Sequence, residues 1–120
     1  MSGMVSVSFL GLWTNDLSAM RRLYAGAFEM TVIRETPTSV WFALDDHAEL
    51  HIYAQADEYH AFFGHSPVPG LLVDDFDRTV RALEQLSVEW LTETERAGGR
   101  QWRHYRAPHG NVYEVMGPAG

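Results

Sequence analysis

The chain opens on an alternation. Between Val5 and Thr14, Val5, Val7, Phe9, Gly11 and Trp13 fall on one side of an extended chain, and Ser6, Ser8, Leu10 and Leu12 on the other. Side chains alternate across a strand, so this stretch predicts a β-strand. Asn15-Asp16 then offers a helix N-cap, because a short polar side chain there accepts from a free backbone N–H of the first turn. Leu17, Met20, Leu23, Tyr24, Ala27 and Phe28 come next at helical spacing, with Arg21, Arg22 and Ala25 pointing elsewhere. That predicts a helix of about three turns with one stripe on a sheet. Strands are expected over 30–35, 40–44 and 49–54, broken by Thr36-Pro37-Thr38 and by Asp45-Asp46-His47. Pro cannot donate to a ladder, and Asp favours turns. In the last strand Leu50, Ile52 and Ala54 make an apolar face, and Glu49, His51 and Tyr53 a polar one.

The pattern then restarts. Gln55 to Pro69 is irregular and rich in polar residues, Gly and Pro, which predicts a linker over the surface, with His60 and His65 solvated. Val68 to Val73 reads as a strand and Asp74-Asp75 as a cap, and Phe76, Val80, Leu83 and Leu86 form a helical stripe. A strand over 88–92 and a loop over 93–99 lead to Gln101–Met116, two strands joined by a tight turn at Pro108 and Gly110, with His109 exposed. Trp102, His104 and Arg106 share one face of the first of these strands, and Val112, Glu114 and Met116 one face of the second. Where those faces coincide, an imidazole and a carboxylate look into one space. Such a pair can bind a metal, trade a proton or neutralise itself.

The order is βαβββ, linker, βαβββ, and the two caps, Asp16 and Asp75, lie 59 residues apart. This internal repeat predicts an α+β fold of one domain over 1–120, with modules at about 4–54 and 67–117 and a linker at 55–66. A βαβββ unit is too small to cover its sheet on both sides, so pairing two units puts helices outside and leaves a concave face between the sheets. The sides expected against the helices are Leu10, Leu12, Leu50, Ile52, Leu71, Val73, Tyr113 and Val115. By alternation Phe9, Trp13, His51, Tyr53, Val68, Trp102, His104 and Glu114 face the cavity, whereas Trp41 is read as core packing.

Composition narrows the chemistry. At 120 residues, 46% hydrophobic and 12% aromatic, the chain suits one folded core. It has no apolar run of the ~20 residues that a membrane helix needs and no signal-peptide pattern at its start, so a cytoplasmic location is the default. The net charge of -7 disfavours nucleic acid and anionic membranes as partners and suits a cationic ligand. Cysteine is absent and all nine basic residues are Arg. Disulfides, thiolate metal sites, cysteine nucleophiles and lysine Schiff bases are therefore excluded.

The Gln101–Met116 segment resembles the closing hairpin of the vicinal oxygen chelate superfamily, which includes glyoxalase I, bleomycin resistance proteins, extradiol dioxygenases and fosfomycin resistance enzymes. Pro108, Gly110, Asn111 and Glu114 match its pattern, while Ala107 stands where the family has Asp. The run Asp16 to Tyr24 is similar to the family's first helix, and Val73-Asp74-Asp75-Phe76 to the start of its second. The resemblance implies the family's fold, an incomplete barrel-like sheet with helices outside, and a homodimer. Its four metal-ligand positions map to Phe9, His51, Val68 and Glu114. Phe9 and Val68 have no lone pair to give, and His51 and Glu114 alone are fewer than the three ligands of a catalytic zinc site.

The resemblance therefore points to the bleomycin-resistance branch. In that reading the chain binds or sequesters a natural product or antibiotic without a metal, through Phe9, Trp13, Tyr53, Val68, Trp102 and His104. The alternative is a lyase, isomerase or dioxygenase-type enzyme. There His51 and Glu114 are catalytic, and a divalent metal, where present, is held by His51, His104 and Glu114. A third reading, an interaction module with a filled cavity, stays open, as does the bland one of a buried His–Glu pair with no role in turnover.

Overall fold

The computed structural model describes residues 5–64, 66–107 and 110–120; the expectations for His65, Pro108 and His109 lie outside them. The chain divides into two compact units: an N-module, Phe9–Pro67, and a C-module, Val68–Gly120 with the described residues before Phe9.

The N-module contains most of β1 (Ser6–Thr14), α1 (Leu17–Arg21), β2 (Val32–Thr36), β3 (Ser39–Ala43) and β4 (Glu49–Ala54). Its strands run in the order β2-β3-β4-β1, with β1 parallel to β4 and the other pairs antiparallel. The predicted N-cap forms, since Asp16 Oδ1 accepts from Ala19 N–H at 2.9 Å. Leu10, Leu12, Leu17, Met20 and Tyr24 pack on a buried cluster of Val40, Phe42, Leu50 and Ile52. The helix itself departs from its expected phase. After Arg21 it widens into a π-helical stretch, Arg22–Ala27, where Phe28 N–H donates to Leu23 C=O, five residues back. The wider turn rotates the residues beyond it about the helix axis. Ala25 packs on the core, while Leu23 and Phe28, expected on the apolar stripe, are exposed.

The C-module repeats this plan with β5 (Val68–Leu72), α2 (Phe76–Gln85), β6 (Glu89–Trp90), β7 (Glu95–Ala97), β8 (Arg100–Arg106) and β9 (Val112–Pro118). Its strands run β5-β9-β8-β6, with β5 parallel to β9. Strands β6 and β7 both pair with β8, at its C-terminal and N-terminal ends respectively. They act as one strand interrupted at 91–94, so each module is a βαβββ unit and the fold is α+β, as the repeat predicts. The expected loop over 93–99 is in fact β7 and a hairpin turn, made by Gly98 and Gly99 at φ of 59° and 77°, a region open to glycine at no steric cost. Asp75 caps α2 by accepting from Arg78 N–H at 3.1 Å. Phe76, Val80 and Leu83 pack with Tyr105, Tyr113 and Val115. Leu86, expected on that stripe, lies past the last helical turn and is exposed.

The linker is also more than a surface passage. Glu58–Phe63 forms a 3₁₀ turn whose last residue, Phe63, is buried in the N-module.

Candidate functional site

Register decides what shares a face. In the N-module, Gly11 pairs with His51, Trp13 with Tyr53, and Trp41 with His51 from the other side. Phe9, Gly11, Trp13, Ser39, Trp41, Glu49, His51 and Tyr53 therefore lie on one side of the sheet, opposite Leu10, Leu12, Val40, Leu50 and Ile52. Trp41 is thus not core packing, as its hydrophobicity suggested. Its ring stacks on His51 with centroids 3.7 Å apart and planes 6° apart, and the Arg34 guanidinium lies 4.8 Å from its centroid. Its Nε1–H is buried with no hydrogen-bond partner among the described residues. Phe9 meets His51 edge-on at 5.2 Å.

Gly11 leaves the space that these rings fill. A Cβ there would lie 2.5 Å from Phe63 Cε2 and 3.0 Å from the Phe9 ring. The 3₁₀ turn thus lowers Phe63 onto the sheet, where it also meets the Tyr53 ring edge-on at 5.8 Å. His60 stacks flat on Tyr53 at 3.5 Å, and its Nδ1 lies 3.0 Å from Asp57 Oδ1. It is not the solvated residue that the linker composition predicted, because the chain folds back over the strand.

His51 sits at the centre of this face. Its Nε2 lies 2.8 Å from Glu49 Oε1 and its Nδ1 3.2 Å from Tyr53 Oη. Burial holds its pKa below the ordinary value; Glu49 opposes that shift, and the nearby His60 and Arg34 charges add to it. The neutral ring has one N–H. A carboxylate can only accept, so Nε2 carries the hydrogen and Nδ1 accepts from the Tyr53 hydroxyl.

In the C-module, Glu114 pairs with His104 across the antiparallel β8–β9 ladder and with Gly70 across the parallel β5–β9 ladder. The two side chains share one space, as alternation along the hairpin predicts. His104 Nε2 lies 3.2 Å from Glu114 Oε2, with both side chains almost fully buried. The backbone N–H of His104 donates to Thr92 Oγ1 at 3.0 Å, which fixes the strand position. Burial pushes the Glu114 carboxyl above its ordinary pKa; the His104 ring beside it works against that shift, and the charge of Glu95 adds to it. Glu114 Oε1 is buried without a hydrogen-bond partner among the described residues. Val68 is fully buried, two residues before Gly70 on the same side of β5, and Trp102 is half-buried, two residues before His104.

The expected residues therefore fall into two sets, Phe9, Trp13, His51 and Tyr53 in the N-module and Val68, Trp102, His104 and Glu114 in the C-module. Trp41, Glu49, His60 and Phe63 join the first set, although the sequence does not single them out as site residues. Parity places Glu49, and would place Trp41 if its ring did not look like core. His60 and Phe63 leave no periodic signal. A catalytic divalent ion takes about three protein donors. Among the described residues no three His, Cys, Asp or Glu side chains gather into such a group. Both His51 nitrogens are engaged, and Glu114 has one imidazole beside it.

The chain belongs to the Glyoxalase/Bleomycin resistance protein/Dioxygenase superfamily, whose family model matches residues 6–115. Among solved structures it is similar to the Mn(II)-bound glyoxalase from Novosphingobium aromaticivorans, at 19% identity and a TM-score of 0.75, over 98% of this chain and 40% of that one. It is also similar to methylmalonyl-CoA epimerase from Mycobacterium tuberculosis, at 19% identity and a TM-score of 0.69, over 95% and 88% of the two chains. A homoprotocatechuate 2,3-dioxygenase variant from Brevibacterium fuscum matches at 15% identity and a TM-score of 0.74, over 99% of this chain and 34% of that one. At these identities the likeness is one of fold, the vicinal oxygen chelate fold that the hairpin and repeat led us to expect. No curated protein matches by sequence. Among the described residues no helix is long and apolar enough to cross a membrane.

Proposed function

We propose that the chain is a small-molecule-binding protein, and that its N-module takes a flat or cationic ligand on the aromatic face of Phe9, Trp13, Trp41 and Tyr53 without help from a metal. The observation that carries this reading is the Trp41 indole. Its Nε1–H is buried and has no hydrogen-bond partner among the described residues, a state that buried donors rarely keep. An acceptor atom on a ligand at the N–H edge of the indole, in the plane of the ring, would satisfy it, and aromatic rings attract flat and cationic groups. Sequestration of a natural product or antibiotic by a homodimer is the specific role we assign.

The test is a titration of intrinsic tryptophan fluorescence with a panel of aromatic and cationic natural products, bleomycin among them, beside the Trp41→Phe variant. The expected result is saturable quenching by at least one compound, weakened about tenfold in Trp41→Phe, the size of one lost hydrogen bond. Quenching unchanged in that variant would remove the reading.

A second reading has its own observation. The Glu114 carboxyl is buried, raised in pKa and short of one hydrogen bond, which suits a general acid or base. Methylmalonyl-CoA, the ligand named for a solved relative, is a direct probe. Exchange of its α-hydrogen with deuterated water, lost in Glu114→Gln, would establish an enzyme; no exchange above the buffer rate would count against this reading.

A further inference from the structure

Each module carries an arginine over a tryptophan, and the two arginines are held differently. In the C-module the Arg103 guanidinium lies 4.1 Å from the Trp90 ring centroid. Its Nε–H donates to the Thr92 carbonyl at 2.7 Å, its Nη2 lies 3.8 Å from Glu93, and its side chain is 17% exposed. That guanidinium is tied down. In the N-module the Arg34 guanidinium lies 4.8 Å from the Trp41 centroid. Arg34 is exposed, and among the described residues it makes no hydrogen bond and no ion pair. The ring alone holds it. Strand order decides which face of the indole it covers. Trp41 pairs with Arg34 on β2 and with His51 on β4, and the His51 ring closes one face at 3.7 Å. Arg34 therefore covers the outer face, and its flexible stem, with no anchor at the head, lets it leave.

We propose that Arg34 is a displaceable placeholder on the ligand surface, and that the ligand is a planar cation of the guanidinium or amidinium type that takes its place on the outer face of Trp41. This rests on the reading that the N-module face binds a ligand, and it makes Arg34 a specificity-determining residue of that face. A guanidinium already seated on the indole shows what the face accepts, a flat, positive and weakly hydrated group. Exchange of one planar cation for another leaves the local charge unchanged, while Arg34 regains water and side-chain freedom. The surroundings favour a positive guest. Glu49, on the same side of the sheet, is 47% exposed and its partner His51 is held neutral by burial, so its negative charge is not cancelled. An anionic ligand would meet the negative face of the ring and the charge of Glu49, and a neutral one would gain from neither.

The probe is benzamidine, with benzamide as the neutral molecule of the same shape. Both are titrated into the parent chain and into Arg34→Ala, and NMR spectra follow the Trp41 indole N–H and the δ-hydrogens of Arg34. The indole shields those δ-hydrogens in the free parent chain. Benzamidine is expected to return them to the shifts of a free arginine as it saturates. Arg34→Ala removes the competitor and should bind benzamidine about three- to fivefold more tightly, the size of one exposed cation–π contact. Benzamide should bind more weakly than benzamidine in both chains. Equal or weaker benzamidine binding in Arg34→Ala would make Arg34 an anchor and overturn the placeholder. So would δ-hydrogens that stay shielded at saturation, benzamide binding as tightly as benzamidine, or no benzamidine binding to either chain. A panel compound whose quenching weakens in Trp41→Phe, beside a silent benzamidine, keeps the binding surface and removes the placeholder. Displacement of Arg34 by benzamidine, with no panel compound weakened in Trp41→Phe, keeps the placeholder and removes the indole hydrogen bond from the reading.

Discussion

The two modules share a plan and differ in what they hold at the same place. In each, the first strand lies parallel to the last, and a glycine of the first strand faces an ionisable residue of the last: Gly11 faces His51, and Gly70 faces Glu114. On the other side of that residue stands Trp41 in the N-module and His104 in the C-module. One position is thus a stacked indole and imidazole with a route to water through Glu49, the other a buried imidazole–carboxylate pair. The same backbone has been given two chemistries, and the surroundings decide which. Burial beneath the neighbouring rings keeps His51 neutral against the opposing pull of a half-exposed Glu49, and Glu49 and Tyr53 engage its two nitrogens. Burial of Glu114 favours its protonated form.

The largest effect that separates the modules should come from breaking the C-module pair. His104→Ala leaves a buried carboxyl without its neighbour and is expected to cost about 3–5 kcal/mol. The double change His104→Phe with Glu114→Leu should recover most of that, because two apolar groups need no partner. Urea unfolding of the three chains measures both, and a double variant no better than the single one would mean that packing matters more than charge. Close contacts of two glycines come next. A Cβ on Gly117 would meet Phe76 Cβ at 2.9 Å and the Val73 carbonyl oxygen at 3.1 Å, where backbone must move. A Cβ on Gly11 meets only the rings of Phe63 and Phe9, which can swing. Gly117→Ala should therefore cost roughly 2–3 kcal/mol and Gly11→Ala nearer ~1 kcal/mol, within the range for overpacking. The reverse order in thermal melts would show that the N-module rings are the more rigid packing.

A smaller effect is one of sign. The pKa of His51 is lowered in the folded chain, so the unfolded chain binds more protons below the unfolded value of 6.5. Its contribution is present above 6.5 and lost as pH falls through the folded pKa. The pKa of Glu114 is raised from 4.5, so its contribution is present below 4.5 and lost as pH rises through the folded pKa. His51→Phe should flatten the mildly acid limb of the stability curve, and Glu114→Gln the change at higher pH. Two variants that flatten the same limb would erase the distinction. The smallest effect belongs to the surface pair Arg21–Glu35 at 2.7 Å, exposed on both sides. Glu35→Gln should leave the melting temperature within error, as such pairs contribute little.

Much of this is legible in the chain because it rests on local rules. The caps at Asp16 and Asp75, the alternation that sets Leu50 and Ile52 against Glu49, His51 and Tyr53, and the pairing of His104 with Glu114 all come from strand period and turn chemistry. The features that escape depend on contacts distant in sequence or on a small change of period. The π-helical stretch exchanges Ala25 for Leu23 and Phe28 on the packed side, and nothing in the residue types marks it. His60 and Phe63 lie in one 3₁₀ turn, too short for a periodic signal, and Phe63 reaches the sheet only because Gly11 leaves room. Trp41 reads as core, for hydrophobicity cannot say which side of a strand a ring takes when both sides are covered. The second module's third strand, split into β6 and β7, hides its latter half in a stretch that reads as a loop.

The measurement that bears most directly on the division of labour is one ligand panel titrated in parallel against the parent chain, Trp41→Phe and Glu114→Gln, followed by tryptophan fluorescence and by melting temperature. If the N-module face is the binding surface, Trp41→Phe weakens the best compound about tenfold, while Glu114→Gln binds it as the parent does. Binding that survives Trp41→Phe and disappears in Glu114→Gln would contradict the account and move the site to the C-module pair.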